Sequence, residues 1–456
     1  MKAAEIILNR IAGYGHKPAV YWRGQVLSYK NLWKQVEDWL QHLSEHRITS
    51  GTVCALVGDY SPGTCGLILA LMRTGGIVLL VNRGNEVELE FQSSASGAQH
   101  LFRFAKDDSF DSSPLQNCTP PKLVKSFSAT DHSGLIVFTS GSTGEPKGIL
   151  HDLDRVAGKF ITKRQAWRTV MFLTFDHFGG FNTLLSVFAY GGLAVCLETR
   201  SVRNVCEVIE KSQATLLPIT PTFLNFLIGS SSVSEHDLSS IKRISYGTEV
   251  MPEDTLKNVN RYFSNAKIVN TYGLSELGVL PTKSKSNGST WVRIGGDGFE
   301  TKIVEGILWV RSQSRMVGYL NGPTPFDKDD WMCTDDRIEA DGEYIRFMGR
   351  ETDVINVGGQ KVSPEEVRTI IREDANVFDA SVYGASNQLF GEVVVSDVSL
   401  YEQEDLEQLT ERLRARCQKQ LNRYKVPVRF RIIDKADHHN ERFKNARARQ
   451  SEIELG

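Results

Sequence analysis

The feature that most constrains the fold is a series of short apolar runs, many of them apolar throughout rather than alternating. "GTVCALVGD", "IVLLVN", "GLIVFTS", "RTVMFLTF", "GGLAVCLE", "ATLLPIT", "KRISYGTE" and "AKIVNTYG" follow one another between residues 51 and 273. A strand with one wet face alternates apolar and polar residues. A run that is apolar throughout is expected where helices cover both faces of a sheet. Helical stretches separate the runs. "LSYKNLWKQVEDWLQHLSEH" carries Leu32, Val36, Trp39, Leu40 and Leu43 at helical spacing, and "CGLILALMRTGG" reads as a helix ended by Gly75. Strands alternating with helices predict an α/β fold of doubly wound layers with parallel-type sheets.

The pattern changes after about residue 290. "GILWVRS" and "GEYIRFMGR", separated by polar turns, read as antiparallel strands. "VSPEEVRTIIRE" offers a helix start, with Ser363 to cap, Pro364 at the first helical position and Glu366 to close a capping box. "DASVYGA", "EVVVSDVSL", the helix "DLEQLTERLRARCQKQL" and "VRFRIID" complete a small second module. The expected division is an N-terminal domain, 1–349, and a C-terminal domain, 350–456. No Pro/Gly/Ser-rich linker marks the boundary, so any hinge is short. "SSPLQNCTPPK", 112–122, is expected to be a surface loop.

Charge and cysteine usage exclude several classes. Net charge is -2, with 53 Lys and Arg against 55 Asp and Glu, so no global field favours nucleic acid or an anionic membrane. The C-terminal "ERFKNARAR" is basic but has no aromatic interleaving to suggest a nucleic-acid patch. The cysteines number 7, at irregular spacing and without a C-x-x-C. Reduced thiols in a cytoplasmic protein are expected, rather than a disulfide framework or a thiolate zinc site. No run of about 18 apolar residues suggests a membrane span.

One segment carries chemistry on its face. "GLIVFTS" runs directly into "GSTGEPKG". Gly141, Gly144 and Gly148 let backbone amides turn toward one ligand. Thr139, Ser140, Ser142 and Thr143 add hydroxyl donors, and Lys147 adds a positive charge. Such a nest of donors after a buried strand suits a polyanion. It is not a Walker A loop, because Lys147 lies between Pro146 and Gly148 with no Ser or Thr after it. Nor is it the dinucleotide-binding G-x-G-x-x-G.

"TSGSTGEPKG" resembles the phosphate loop of the adenylate-forming superfamily: acyl-CoA synthetases, peptide-synthetase adenylation domains and luciferases. The small acyl- and aryl-CoA ligases are nearest in character. Other segments fit the same family in order. "LSYKNL" and "MRTGGIVLLVN" resemble its early structural motifs, and "YGTEVMPE" and "NTYGLSELG" its adenine-binding segments. "CTDDRIEADGEYIRFMGRETDVINVGGQKVSPEEV" resembles the run that crosses its domain boundary, and "NERFKNAR" its C-terminal piece. The resemblance covers nearly the whole chain. It implies a large multilayered N-terminal domain with a small distorted barrel, and a mobile α+β C-terminal domain. It also implies a two-step reaction: a carboxylate attacks the α-phosphate of ATP and expels pyrophosphate, then a nucleophile, usually a thiol, takes the acyl group.

The resemblance assigns roles residue by residue. Thr139, Ser140, Gly141, Ser142, Thr143, Gly144 and Lys147 correspond to the loop on the β- and γ-phosphates. Thr271 corresponds to the residue that reaches the α-phosphate and acyl oxygens, and Glu276 to the Mg²⁺ carboxylate. Gly247, Thr248, Glu249, Asn270 and Tyr272 correspond to positions around adenine. Asp336 and Arg350 correspond to the ribose contacts. The family's Thr-Gly-Asp is here Thr334-Asp335-Asp336, and spacing to "DGEY" selects Asp336. Lys444 corresponds to the family's C-terminal lysine, with its usual glycine replaced by Phe443. Thr352 lies at the hinge position, and Gly358-Gly359 line the thiol's approach. Asp176, His177, Phe178, Phe181 and Asn182 fall in the segment that forms one wall of the acyl pocket. A histidine beside Gly179-Gly180 suits a non-amino carboxylic acid, whereas Asp176 keeps an amino acid open. ATP, Mg²⁺ and either CoA or a carrier protein's phosphopantetheine are the implied cofactors and acceptors. An amine acceptor and a noncatalytic nucleotide-binding protein of the same fold remain as alternatives.

Overall fold

Alternate residues of the central apolar strands enter two different cores, which is why these strands lack a polar face. In the computed structural model, Val53–Gly58 is buried at every position, flanked in parallel by Ile77–Asn82 and His100–Phe104. Cys54, Leu56, Val78, Leu80, Leu135 and Val137 pack into one core. Val53, Ala55, Val57, Ile77, Leu79, Val81 and Ile136 pack into another. Each Val, Leu or Ile among them contributes about 1.5–3 kcal/mol on burial. A Leu79→Ala change would cost about 2–5 kcal/mol through lost transfer energy and the cavity left behind. The structure describes residues 2–83, 86–116, 118–139, 146–247, 249–350, 353–357, 360–387 and 391–434.

These strands belong to a seven-stranded sheet. It runs from Gly318–Tyr319 at one edge through Lys147–Asp152, Gly134–Thr139, Ile77–Asn82, Val53–Gly58 and His100–Phe104 to Phe110–Pro114. The helix Pro62–Thr74 crosses between two of its parallel strands. Its capping box is made by Ser61 and Thr64, and it stops at Gly75, whose φ of 75° is left-handed. Ser112–Pro114, expected in a loop, continue the edge strand, with Ser112 opposite Phe102. The strand is polar because it is an exposed edge.

The second seven-stranded sheet runs Lys267–Asn270, Arg243–Tyr246, Leu216–Ile219, Arg168–Val170, Leu193–Val195, Pro18–Trp22 and Gln25–Ser28. All its pairings are parallel except the last, an N-terminal hairpin turned at Arg23 and Gly24. The two sheets are tied by a bidentate ion pair. Arg200 Nη1 and Nη2 donate to Asp59 at 2.7 and 2.9 Å, and Arg200 Nε donates to the Phe172 carbonyl at 2.7 Å. Planar fork-to-carboxylate geometry of this kind is the strong form of the interaction.

Between residues 280 and 350 the pairing is antiparallel. Thr282–Ser284, Val292–Ile294, Tyr344–Arg350, Met332–Asp341, Ile307–Ser312 and Phe299–Val304 form a six-stranded half-barrel over its own core. The C-terminal domain follows. Its sheet contains Gln360–Val362, Ile355–Val357, Gly391–Leu400, Val377–Asn387 and Arg429–Ile432, packed with helices Pro364–Arg372 and Leu406–Gln420. Pro364 occupies the first helical position, but Ser363 makes no side-chain cap. The expected capping box is absent because Glu366 is held elsewhere, with both oxygens 2.8 Å from Lys425 Nζ. This domain touches the rest of the chain where Phe378 meets Phe226 at 4.9 Å between ring centroids, and where Arg372 Nη2 donates to Thr255 Oγ1 at 3.2 Å.

Candidate active site

The candidate site gathers at the carboxyl ends of parallel strands, where open α/β sheets hold their ligands. Arg243–Tyr246 and Lys267–Asn270 lie in parallel register, Tyr246 beside Asn270, so their ends present Gly247 and Thr271 together. Thr271 donates to the Tyr246 carbonyl from both its amide, 2.7 Å, and its hydroxyl, 2.9 Å. Gly247 fits because it has no side chain. A Cβ there would stand 2.4 Å from the Thr271 carbonyl oxygen.

The chain then forms a tight hairpin. Tyr272–Leu274 pairs with Gly278–Leu280, which places Glu276 at the turn between them. The Glu276 carbonyl is fixed by the Met316 amide at 2.8 Å. Its carboxylate accepts a 2.7 Å hydrogen bond from the Tyr319 hydroxyl. Burial, and then the Glu276 charge, push the Tyr319 phenol upward, so it stays a donor.

Tyr319 leads to the stem of the candidate phosphate loop. Gly134–Thr139 and Lys147–Asp152 are antiparallel, with Thr139 opposite Lys147. Gly318–Tyr319 pairs onto the far side of that strand, with Tyr319 opposite Ile149. Lys147 Nζ lies over the Tyr319 ring, 5.1 Å from its centroid. Asn321 clamps the stem, accepting from the Gly148 amide and donating to the Pro146 carbonyl, each at 2.9 Å. Ser140, Gly141, Ser142, Thr143 and Gly144 lie outside the described residues, as do Thr248, Thr352, Gly358, Gly359 and Lys444.

On the other side of the hairpin, the Tyr272 hydroxyl donates to Asp336 Oδ2 at 2.6 Å, and its ring stacks on Phe347 at 4.7 Å. Arg350 Nε donates to Asp336 Oδ1 at 3.1 Å across paired strands in which Asp336 faces Arg350. Burial raises the Asp336 carboxyl, opposed by Arg350 and Tyr272. Asp336 is 9% exposed, whereas the adjacent Asp335 is turned to solvent with a φ of 59°. The carboxylate selected by spacing is therefore the one facing the cluster. Such a carboxylate, one oxygen held by a phenol and the other by a guanidinium, keeps further acceptor sites that suit a pair of hydroxyls.

The remaining expected residues divide. Glu249 turns one carboxylate oxygen to the Thr222 amide, 3.1 Å away, at the start of the helix Pro221–Ile228. His177 is the N-cap of the helix Phe178–Tyr190, its Nδ1 accepting the Gly179 amide at 3.0 Å. Asp176 is 8% exposed, within electrostatic reach of Tyr60 and Arg200. Phe178 and Phe181 belong to the large core, at 2% and 1% exposure, because they carry the helix's apolar face. Asn182 is half-buried, with an Oδ1 that has no hydrogen-bond partner among the described residues.

Tyr319 and Asn321 were not expected from the sequence. They lie in "VGYLNGP", which reads only as a polar turn with a tyrosine, and their place depends on pairing with a distant strand. A faint signal existed in Gly318 and Gly322 flanking the segment.

As for the metal, no group of three or more His, Cys, Asp or Glu side chains among the described residues could hold one. A single hard carboxylate at Glu276 still fits Mg²⁺, which keeps waters and takes other oxygens from substrate phosphates. No helix among the described residues is long and apolar enough to cross a membrane.

A lysine at a Gly/Ser/Thr loop stem thus meets a hairpin carboxylate through Tyr319, and the same hairpin carries Tyr272 to a buried Asp–Arg pair. The chain belongs to the AMP-binding enzyme family, whose model matches residues 8–320. Indoleacetate–CoA ligase of Aromatoleum aromaticum is 27% identical over 66% of this chain and 63% of its own length. 2-Succinylbenzoate–CoA ligase of Bacillus subtilis is 22% identical over 95% of this chain and 93% of its own. Among solved structures, the anthranilate CoA ligase AuaEII in complex with anthranoyl-AMP superposes with a TM-score of 0.79 at 18% identity, covering 95% and 93% of the two chains. The ATP-bound MatB from Rhodopseudomonas palustris gives 0.80 at 19%, covering 95% of each. The chain is thus an AMP-forming ligase that activates a carboxylic acid as its adenylate.

Proposed function

We propose that this ligase acts on a small non-amino carboxylic acid, of the aryl type, and delivers it to the thiol of CoA. In the first step a carboxylate oxygen bonds to the α-phosphorus of ATP, and the bond to the pyrophosphate oxygen breaks. In the second a thiolate bonds to the acyl carbon, and the carbon–oxygen bond to AMP breaks. Lys147 and the loop from Thr139 hold the departing pyrophosphate. Thr271 and Lys444 bear on the α-phosphate, where negative charge grows. Asp336 and Arg350 hold the ribose, and Gly247 and Tyr272 bound the adenine. Glu276 would hold Mg²⁺, which when bound neutralises phosphate charge.

The observation that carries this reading is the contact chain Lys147–Tyr319–Glu276, continued through Tyr272 to Asp336 and Arg350. It brings the groups proposed for a triphosphate and those proposed for a ribose onto one hairpin. The aryl acid and CoA rest on likeness to ligases named for indoleacetate and 2-succinylbenzoate. Asp176, His177 and Asn182 are the polar groups proposed on the acid's side. The division at 349/350 and the free thiols suit a two-domain enzyme working in the reducing cytoplasm.

Acid-dependent exchange of pyrophosphate into ATP, run over aryl, aliphatic and amino acids, tests the first step. Exchange with aryl acids and thioester formation with free CoA are expected. Exchange with amino acids alone overturns the acid class, and transfer only to a carrier protein overturns the acceptor.

A further inference from the structure

We infer that Tyr319 is the positioning residue that couples the phosphate-loop lysine to the metal carboxylate. The inference rests on the proposed role of Glu276. Glu276 stands at a hairpin turn, where a carboxylate side chain has rotational freedom to lose. One hydrogen bond, 2.7 Å from the Tyr319 hydroxyl, fixes it. A carboxylate has about four acceptor sites, so an oxygen held by a phenol leaves the other free for a cation. Tyr319 itself is not free to drift. It sits on a two-residue strand pinned to the strand of Lys147, with Val317 donating to the Leu150 carbonyl at 2.7 Å and Leu320 to the Gly148 carbonyl at 2.8 Å.

The ring of the same residue lies under Lys147 Nζ at 5.1 Å. The ammonium and the carboxylate would attract each other directly if unrestrained, and a collapsed ion pair would withdraw both from ATP. The tyrosine separates them. Its face takes the cation through the ring quadrupole, and its hydroxyl takes the anion. The two charges are thereby engaged by different parts of one side chain. Asn321, two residues on, fixes the loop stem on the same strap, so loop and carboxylate share one support.

Pyrophosphate exchange measured against Mg²⁺ and against ATP tests this. Tyr319→Phe keeps the ring and removes the donor. It is expected to raise the Mg²⁺ concentration for half-maximal exchange about tenfold, the scale of one hydrogen bond to a charged group. The rate loss shrinks as Mg²⁺ is raised. Tyr319→Leu removes the ring as well and is expected to add a rise of about two- to fivefold in the KM for ATP. In a Glu276→Gln background, Tyr319→Phe is expected to add nothing to the Mg²⁺ requirement, because it acts through that carboxylate. A fall in rate for Tyr319→Phe with unchanged Mg²⁺ dependence would overturn the inference while leaving Glu276 in its role. If Glu276→Gln also keeps the wild-type Mg²⁺ dependence, the reading of Glu276 fails and the inference falls with it. Melting curves of each variant separate misfolding from these effects. Should Tyr319→Leu not fold, the Phe and Gln variants and their double mutant decide the matter alone.

Discussion

Lys159 ends the helix Leu153–Gly158, donates to the Val279 carbonyl at 3.2 Å and lies 5.1 Å from the Phe160 ring centroid. Burial pushes its ammonium down to about 7 from an ordinary value of 10.5. Between those values the unfolded chain holds a proton that the folded chain has shed, so stability rises with pH across that window. Below about 7 the folded state carries the charge at its full cost. Lys159→Met is therefore expected to stabilise the protein most near pH 6, by on the order of 1–3 kcal/mol. The gain should shrink toward pH 10. Melting temperatures across that range check it, and a gain equal at both ends would refute the buried-charge account. A second lysine tests the chemistry. Lys444→Ala is expected to slow adenylate formation by about 10²–10³-fold, while thioester formation from supplied adenylate survives. Single-turnover assays of the two halves separate them, and unchanged rates in both would remove Lys444 from the site.

At the scale of elements, the helix Phe178–Tyr190 shows one residue with two possible duties. His177 caps it through Nδ1, and the same side chain is proposed on the acid's side. His177→Ala is expected to cost about 1 kcal/mol of stability, and His177→Asn to restore it, since Asn is a strong N-cap. If the imidazole meets the acid, the Asn variant melts like wild type but loses about tenfold in kcat/KM for the acid. Full activity in that variant would reduce His177 to a cap. The elements themselves were largely legible. The runs apolar throughout became strands feeding two cores, and Gly75 ended its helix as expected. What failed was local chemistry overridden by distant partners. Glu366 was drawn to Lys425, and Ser112–Pro114 were recruited as an edge strand by His100–Phe104. Of the candidate site, the residues at strand ends and turns could be read, because turns impose glycine and expose side chains. Tyr319 could not, because a tyrosine becomes a bridge only when a distant strand presents Lys147 to its face.

At the scale of the molecule, the C-terminal domain meets the rest of the chain at an aromatic contact and a hydrogen bond. Phe378 packs on Phe226, and Arg372 donates to Thr255, which itself donates to Asn225 at 3.0 Å. Phe378→Ala is expected to loosen this contact and speed proteolysis near residue 350. It should also change the ratio of adenylation to thioester formation, with the preference among acids untouched. Limited proteolysis beside the two half-reaction assays checks it, and a changed acid preference would mean that the contact shapes the acid site itself.

Among the described residues, the core built from Ile355 to Phe430 forms a cluster of its own. On the proposed division of labour, this separation has a consequence for descent. Substitutions that retune the acid fall in one core, and those that retune delivery to the thiol fall in another, so the two traits can be inherited apart. A lineage could acquire a new acid without re-solving transfer. The positions obliged to change in concert would then include the ring pair Phe226 and Phe378 and the partners Arg372 and Thr255.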